Sequence, residues 1–197
     1  GYMILGLGVA LYVGTVAGAQ AGFFHLLSHG LMKGLAFLAA GALLFGLQHR
    51  VGEATSEDHQ SLVIDDLSGA ARRYPFVAFA LSLALMGLGG LPPLVGFMSK
   101  WQILVASAQT RDTFILVVLI IAALNSVLSL GYYAPLINRL YRREPTPLVV
   151  NGRAVPLSMS VPLAVLAGSI VVLGVLPFLA GWVTTPAAAD LITAFFQ

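Results

Sequence analysis

Cysteine is absent from the 197 residues of this sequence, and charged residues make up only 9% of it. Without thiolates the chain cannot ligate an iron–sulfur cluster through cysteine, hold a cysteine-type zinc site or form a disulfide. The fingerprints G-x-G-x-x-G and G-x-x-x-x-G-K-[ST] are also missing, which argues against a nucleotide site. We therefore expect no cofactor in this chain, and any redox centre must be carried by another subunit.

The composition is strongly apolar. Hydrophobic residues make up 58% of the chain and its mean hydropathy is +0.92, whereas about a quarter of the residues of a soluble domain are charged. We therefore predict an integral, multi-pass membrane protein surrounded by a lipid bilayer. The sequence pI of about 9.2 is also typical of nucleic-acid-binding proteins, but the arginines lie between the apolar segments, where they suit lipid headgroups. We expect no nucleic-acid partner.

Apolar segments recur along the chain at lengths that can cross a membrane, since about 20 residues span the hydrocarbon. They cover residues 1–18, 21–47, 75–109, 113–138 and 157–183. The predicted fold class is all-α, with about five transmembrane helices in one domain over 1–183 and a short C-terminal tail over 184–197. Within the tail, residues 187–196 suit an interfacial helix better than a sixth crossing. Because Gly1 opens directly into an apolar run, we expect that an N-terminal part is missing.

The third segment, at about 35 residues, is too long for one straight crossing of ~30 Å. Its centre reads Leu88-Gly89-Gly90-Leu91-Pro92-Pro93. Two flexible glycines and two prolines, which lack amide donors and clash with the carbonyls four residues earlier, are typical of a helix break. We predict two half-helices joined by a non-helical linker at Gly89, Gly90, Pro92 and Pro93, and such breaks mark ion sites in transporters. A simple proline kink is the alternative.

The arginines are distributed unevenly between the two sides of the predicted bundle. The connections over 48–74 and 139–156 contain seven of them, and the opposite side contains only Arg111. The seven are Arg50, Arg72, Arg73, Arg139, Arg142, Arg143 and Arg153. By the positive-inside rule both connections are cytoplasmic and the C-terminal tail lies outside. We expect the membrane to be a bacterial or archaeal plasma membrane.

Two lysines, Lys33 and Lys100, are the only charges deep inside apolar segments, where an ammonium costs several kcal/mol. His25, His29 and Lys33 are spaced four residues apart, so on a helix successive members rotate by about 40° and the three climb roughly 12 Å along one side. Such a line of titratable groups can pass protons through bridging waters, for which Ser28 and neighbouring glycines leave room. A histidine by itself would indicate interhelical hydrogen bonding instead.

A metal site is the other use of two histidines one helical turn apart. The run H-L-L-S-H lacks the glutamate of the H-E-x-x-H zinc motif, and no carboxylate lies in any apolar segment. We therefore expect no metal ligand. Since neither a nucleophile–base constellation nor a membrane carboxylate pair is present, we also expect no catalytic residue in this chain.

Lys100 follows the predicted break by seven residues. A lysine can snorkel to the interface along its aliphatic stem, but the outer boundary at Arg111 and Asp112 is about 16 Å further along a helix, beyond its reach. Polar residues elsewhere are candidates for lining a path, although helix–helix hydrogen bonding explains them at least as well. They are Ser28, Ser99, Asn125, Ser126, Ser129, Tyr132 and Tyr133.

Three motifs occur in order along the chain: FFHLLSHGLMKGLAFLAAG, GLGGLPPLVGFMSKWQIL and LNSVLSLGYY. Together they closely resemble the antiporter-like subunits of respiratory complex I, and equally the large subunits of Mrp-type sodium/proton antiporters and of membrane-bound hydrogenases. The resemblance covers essentially the whole chain. It implies a protein of about fourteen transmembrane helices with two inverted five-helix repeats. This chain looks like the last five helices, which hold most of the second half-channel.

The resemblance also implies roles for individual residues. Lys33 matches the central lysine of the family's proton path, and His25 and His29 match its relay partners. Lys100 matches the residue on the second broken helix that gates exchange with the outer side. The glutamate–lysine pair of the first half-channel lies outside this sequence, so an isolated copy of this chain is not expected to be a complete pump.

The leading hypothesis is a proton-translocating subunit of a complex I-like NADH:quinone oxidoreductase. Moving one charge through 100 mV costs about 2.3 kcal/mol, so redox chemistry in partner membrane subunits would have to drive it, since this chain has no redox site. The alternative is a subunit of an Mrp-type sodium/proton antiporter, driven by the ion gradient, or of a membrane-bound hydrogenase. A structural scaffold with incidental polar residues is a third hypothesis.

Overall fold

The protein is built from α-helices. The computed structural model describes residues 1–47, 63–142 and 144–196, and these ranges contain no β-strand. Their helices are α1 (Tyr2–Val13), α2 (Val16–Leu47), α3 (Ala70–Arg73), α4 (Pro75–Gly89), α5 (Val95–Ala108), α6 (Thr113–Arg142), α7 (Pro147–Val150), α8 (Leu157–Val175) and α9 (Gly181–Phe196). Two 3₁₀ turns, Ile64–Leu67 and Pro177–Ala180, complete the helical elements of these ranges.

Four helical stretches of the described chain are long and apolar enough to cross a membrane. They are Val16–Leu47, Thr113–Arg142, Leu157–Val175 and Pro177–Phe196. Tyr2–Tyr12 and Pro75–Gly89 are shorter apolar helices. A helix pairs its own amides and carbonyls, which is what hydrocarbon demands of any segment that enters it. The all-α, multi-pass membrane fold predicted from composition is confirmed.

The third apolar segment is broken, as its glycines and prolines predict. α4 ends at Gly89 and α5 begins at Val95. Gly90 has a φ of 83°, a left-handed conformation in which a side chain would be strained. Pro92 and Pro93 lack the amide hydrogens that a continuing helix needs. A simple kink within one continuous helix is therefore excluded.

Two boundaries differ from those of the predicted segments. In the first segment, α1 ends at Val13 because Gly14 turns left-handed, with φ 68°, and its amide donates to the Ala10 carbonyl at 2.8 Å. In the last segment, predicted to run to residue 183, α8 ends at Val175. Pro177 follows, and a proline cannot continue the helical hydrogen-bond pattern.

The described part of the predicted C-terminal tail, 184–196, is helical. The boundary expected between residues 183 and 184 falls inside α9. Together with the 3₁₀ turn before it, α9 makes a stretch of 20 residues that is long and apolar enough to cross a membrane, where the sequence favoured a short interfacial helix. Ala188 of α9 packs against Ala10 and Ala19. Small side chains such as these let membrane helices approach closely.

The described residues form two compact units. The first comprises those of Gly1–Met32, Met86–Leu130 and Gly168–Gln197, and the second those of Lys33–Leu85 and Gly131–Ala167. In the first unit, Val9 of α1 packs against Ile115 and Leu119 of α6. This apolar cluster and the alanine contacts of α9 hold α1 inside the first unit.

In the second unit, Arg153 closes the last turn of α2. Its Nε donates to the Phe45 carbonyl at 3.0 Å, and its backbone N–H donates to the Gly46 carbonyl at 3.0 Å. Tyr74 donates its hydroxyl to the Arg153 carbonyl at 3.0 Å, and burial raises the pKa of that hydroxyl. Because the last carbonyls of a helix have no partner within it, these bonds stabilise the end of α2.

The two arginine-rich connections are described only in part, because residues 48–62, with Arg50, and Arg143 lie outside the described residues. In the described part, Arg139 pairs with Asp65 at 2.8 Å. That ion pair joins the two connections within the second unit.

Gly96 lies where the two half-helices approach each other, and a Cβ there would overlap the Gly87 carbonyl oxygen. We expect Gly96→Ala to destabilise the protein by about 1–3 kcal/mol, because the backbones must move apart, and to lower the midpoint of thermal unfolding in detergent. Gly168→Ala is the matched control, since a Cβ at that position meets nothing within 4 Å. Equal midpoints for the two variants would contradict this packing.

Candidate functional site

Two carbonyls at the end of α4 lose their helical partners. In an α-helix the carbonyl of residue i accepts from the amide of residue i+4, so Leu88 and Gly89 would bond to the amides of residues 92 and 93. Both positions are proline, which has no amide hydrogen. An unpaired carbonyl in the hydrocarbon costs several kcal/mol. Other donors are therefore required at this point.

Side chains of α5 and α6 supply those donors. Lys100 Nζ donates to the Leu88 carbonyl at 2.8 Å, and Ser126 Oγ donates to the Gly89 carbonyl at 3.1 Å. Lys100 Nζ also donates to Ser126 Oγ at 2.8 Å, which connects the two donors. We call Lys100, Ser126 and the two carbonyls the break cluster.

Gly90 leaves room for the break cluster. A Cβ at this position would lie 3.2 Å from Lys100 Nζ and 3.3 Å from Ser126 Oγ, which is tighter than ordinary van der Waals contact. The glycines and prolines of the break therefore have different roles. The prolines remove the amide donors, and Gly90 provides the space for the side chains that replace them.

His25 on α2 contacts α5 one residue before the lysine. Its Nδ1 lies 2.8 Å from Ser99 Oγ, and Ser99 donates its hydroxyl to the Gly96 carbonyl at 3.2 Å. Because a hydroxyl has a single hydrogen, His25 Nδ1 is the donor of the first bond whenever Ser99 donates to the Gly96 carbonyl. Both side chains are buried, so bulk water does not compete for these bonds.

Tyr2 lies between His25 and Lys100, and the sequence patterns do not indicate it. Its ring centroid is 5.6 Å from that of His25, and Lys100 Nζ lies 5.1 Å from the Tyr2 centroid, within cation–π range. Its hydroxyl donates to the Ala122 carbonyl. A tyrosine hydroxyl in an apolar helix needs such a partner, and this need is the one sign in the sequence that Tyr2 contacts another helix. Tyr2 has no helical spacing to another polar residue.

The two histidines lie on one continuous helix, as predicted, because α2 runs without a break from Val16 to Leu47. Their ring centroids are 6.0 Å apart, with the rings tilted by 44°. Ser28 between them is fully buried and donates its hydroxyl to the Phe24 carbonyl at 2.6 Å. Ser28 therefore bonds to its own helix.

Lys33 belongs to the second unit. It lies on α2, one helical turn after His29, and its Nζ lies 5.8 Å from the centroid of the Phe37 ring. The side chain is half-buried. The environments of the two lysines therefore differ: Lys100 donates to a carbonyl and a hydroxyl, and Lys33 lies over an aromatic ring.

The other predicted lining residues on α6 divide into two groups. Ser129 donates to the Ser126 carbonyl at 2.6 Å and so bonds to its own helix. Asn125 is exposed. Tyr132 and Tyr133 lie in the second unit and contact each other edge to face, with ring centroids 4.5 Å apart. Of these α6 residues, Ser126 is thus the one whose side chain bonds to Lys100.

Neutral groups surround the charge of Lys100. Its Nζ contacts a carbonyl, a hydroxyl and the face of an aromatic ring. Among the described residues the ion pair is that of Arg139 with Asp65, in the second unit, and no cluster of three metal-ligating side chains occurs there. A lysine held by neutral acceptors can release its proton without leaving a carboxylate unpaired. This chemistry suits a proton-exchange site.

This site defines a class of protein, namely a helical membrane protein with a lysine bound at a helix break. The sequence also matches a known family. Residues 1–128 match the family described as NADH:quinone oxidoreductase/Mrp antiporter, TM. The matched range includes His25, Lys33, Lys100 and the whole break. The chain belongs to this family, which confirms the resemblance of its motifs.

Relatives with known names are similar over most of the chain. The F(420)H(2) dehydrogenase subunit N of Methanosarcina mazei is 30% identical over 87% of this chain and 33% of its own length. The NADH-quinone oxidoreductase subunit N of Polaromonas naphthalenivorans is 29% identical over 90% of this chain and 34% of its own. The chain thus spans about a third of the length of the curated relatives it matches.

Solved structures share the fold. The Mrp complex from Dietzia sp. DQ12-45-1b contains a chain with a TM-score of 0.71 and 22% identity, covering 100% of this chain and 42% of that one. Respiratory complex I from Thermus thermophilus with bound Aureothin contains one with a TM-score of 0.64 and 26% identity, covering 95% of this chain and 36% of that one. The fold of this chain therefore occurs within longer chains of two solved complexes.

Ser126→Ala would remove the hydroxyl that pairs with the Gly89 carbonyl. We expect a loss of about 1–3 kcal/mol in stability, because a carbonyl inside the protein is left without a donor, measured as a lower midpoint of thermal unfolding in lipid nanodiscs. Ser126→Thr keeps the hydroxyl and should retain most of the stability. Ser158, which is exposed, provides the control Ser158→Ala. If Ser126→Ala unfolded at the same temperature as Ser158→Ala, the hydroxyl would not stabilise the break.

Proposed function

We propose that this chain is part of a proton-translocating membrane subunit of a complex I-like NADH:quinone oxidoreductase, driven by redox chemistry in partner subunits. The observation that carries the proposal is the placement of Lys100, bound at the broken helix and in contact with Tyr2, which also contacts His25. The family and the names of the relatives support it. Since the chain spans about a third of those relatives, the activity belongs to the longer subunit.

In this proposal, protons pass along α2 and then to α5. His25 and His29, with ring centroids 6.0 Å apart, exchange protons through a bridging water, since an imidazole can both accept a proton on one ring nitrogen and donate one from the other. Lys33 continues the same spacing one turn further along α2. At the other end of this line, protons pass between His25 and Lys100, either through the Ser99 hydroxyl or past the Tyr2 ring.

The protonation state of Lys100 is coupled to the broken helix in this mechanism. An ammonium forms a charge-assisted hydrogen bond to the Leu88 carbonyl, which is roughly twice as strong as a bond from a neutral amine. Release of the proton therefore weakens the link between α5 and the end of α4. The hydrogen bonding at the helix break would therefore change with the protonation state of Lys100, and a gate in a proton path requires such a change.

The driving energy has to come from outside this chain. One charge moved through 100 mV costs about 2.3 kcal/mol, and the sequence has no cysteine and no nucleotide fingerprint. We propose that other membrane subunits of a multisubunit complex supply this energy. The membrane would be a bacterial or archaeal plasma membrane, with the connections over 48–74 and 139–156 in the cytoplasm.

A subunit of an Mrp-type sodium/proton antiporter is the second candidate, because the description of the matched family names both kinds of protein. The ion gradient itself would then drive transport, and sodium would move as well as protons. Lys33, His25, His29 and Lys100 would form the same path.

Lys33→Met and Lys100→Met remove the two charges of the proposed path. In proteoliposomes of the complete complex, we expect each to reduce redox-driven proton translocation by at least about tenfold, because a positioned proton-transfer group contributes factors of that size or more. Proton uptake would be measured by quenching of a pH-sensitive acridine dye, together with quinone reduction. Leu128→Met is the control, since Leu128 is apolar and 71% exposed on α6.

Two outcomes of this measurement would change the conclusion. Unaltered pumping in both lysine variants, in a normally assembled complex, would favour the structural scaffold. Transport that needs sodium and no quinone reduction in the wild type would favour the Mrp-type antiporter.

A further inference from the structure

A groove on the second unit has a lining that contains none of the residues of the proposed proton path, although Phe37 at one end of it lies under Lys33. It runs between α2 and α8 and has a volume of about 520 Å³, within the ~300–1,000 Å³ typical of small-molecule sites. Its lining is mainly apolar and includes Phe37, Leu38, Gly41, Phe45, Met159 and Pro162. From Phe37 to Phe45 the groove follows two turns of α2, or about 12 Å.

Positive charge lies at the Phe45 end of the groove. The guanidinium carbon of Arg153 is 3.4 Å from the centroid of the Phe45 ring. Arg73 Nη2 donates to the Gly152 carbonyl at 3.1 Å, so a second guanidinium lies beside the same turn. Among the described residues neither arginine pairs with a carboxylate, and Nε is the one side-chain nitrogen of Arg153 with a hydrogen-bond partner. Within the described ranges the other N–H groups of Arg153 have no protein acceptor, so they can donate to a ligand.

We propose that this groove binds an anionic phospholipid, with an acyl chain between α2 and α8 and the phosphate at Arg153 and Arg73. An apolar channel that ends at two guanidiniums matches the chemistry of such a lipid, because guanidinium groups bind phosphate through paired N–H donors. Phe37, at the opposite end, is 71% exposed, as expected of a side chain in contact with lipid tails. The lipid site does not depend on which ion the protein transports.

The charge at this end of the unit favours a lipid over a transmembrane helix of a partner. A helix in the groove would need its own carboxylate at the level of Arg153, and carboxylates within such helices are rare. Anionic lipids commonly place their phosphate beside basic residues at the ends of membrane helices.

A photo-crosslink identifies the occupant directly. The complete complex, with p-benzoylphenylalanine in place of Leu38, is reconstituted in equal amounts of phosphatidylglycerol and phosphatidylcholine, irradiated and analysed by mass spectrometry. We expect phosphatidylglycerol adducts in excess, and a drop of about fivefold in that excess with Arg153→Gln. Adducts to a polypeptide, or equal labelling by both lipids, would overturn the proposal.

A second variant separates binding from folding, because Arg153 also stabilises the end of α2. Gly41→Leu places a side chain in the groove, where a Cβ at Gly41 meets nothing within 4 Å, and should abolish the phosphatidylglycerol adduct. Gly168→Leu is the matched control, because a Cβ at Gly168 also meets nothing within 4 Å, and should leave the adduct unchanged. The same adduct yield in both variants would show that the lipid does not occupy this groove.

Discussion

An α-helix that meets two successive prolines leaves two of its carbonyls without amide donors, and hydrocarbon offers no water to replace them. Here Lys100 and Ser126 donate to those carbonyls, on Leu88 and Gly89. This pairing fixes the start of α5 beside the end of α4 and brings the middle of α6 to the same point. It also gives a lysine inside an apolar helix a set of hydrogen bonds that needs no carboxylate.

The structural and the proposed functional roles of Lys100 belong to the same atom. Nζ donates the hydrogen bond that the Leu88 carbonyl lacks within α4, and Nζ is also the group that would gain and lose a proton. Tyr2 and Ser99 connect its surroundings to His25. A change of charge at Lys100 therefore acts on the hydrogen bonding of the break and on the electrostatics of the histidine together, whereas Lys33 lies over the Phe37 ring.

Much of the fold and of the helix break could be predicted from the sequence. Composition and the length of the apolar segments determine the membrane fold, and a proline removes the amide donor of the carbonyl four residues earlier. The break and the helix carrying His25, His29 and Lys33 followed from such local rules. The role of Tyr2, the bond from His25 to Ser99, and which of the α6 polar residues contact Lys100 depend on how helices pack, for which no local pattern exists. The end of α8 before Pro177 was missed because apolar composition continues across it.

A double-mutant cycle between Pro92 and Lys100 tests the central claim most directly. Pro92→Ala restores the amide that can pair with the Leu88 carbonyl, so the account predicts that Lys100→Met lowers the midpoint of thermal unfolding clearly less in the Pro92→Ala background than in the wild type. The coupling should be about 0.5–3 kcal/mol, as for residues that share one hydrogen-bond network. Strictly additive effects would contradict the claim that Lys100 replaces the amide removed by the proline.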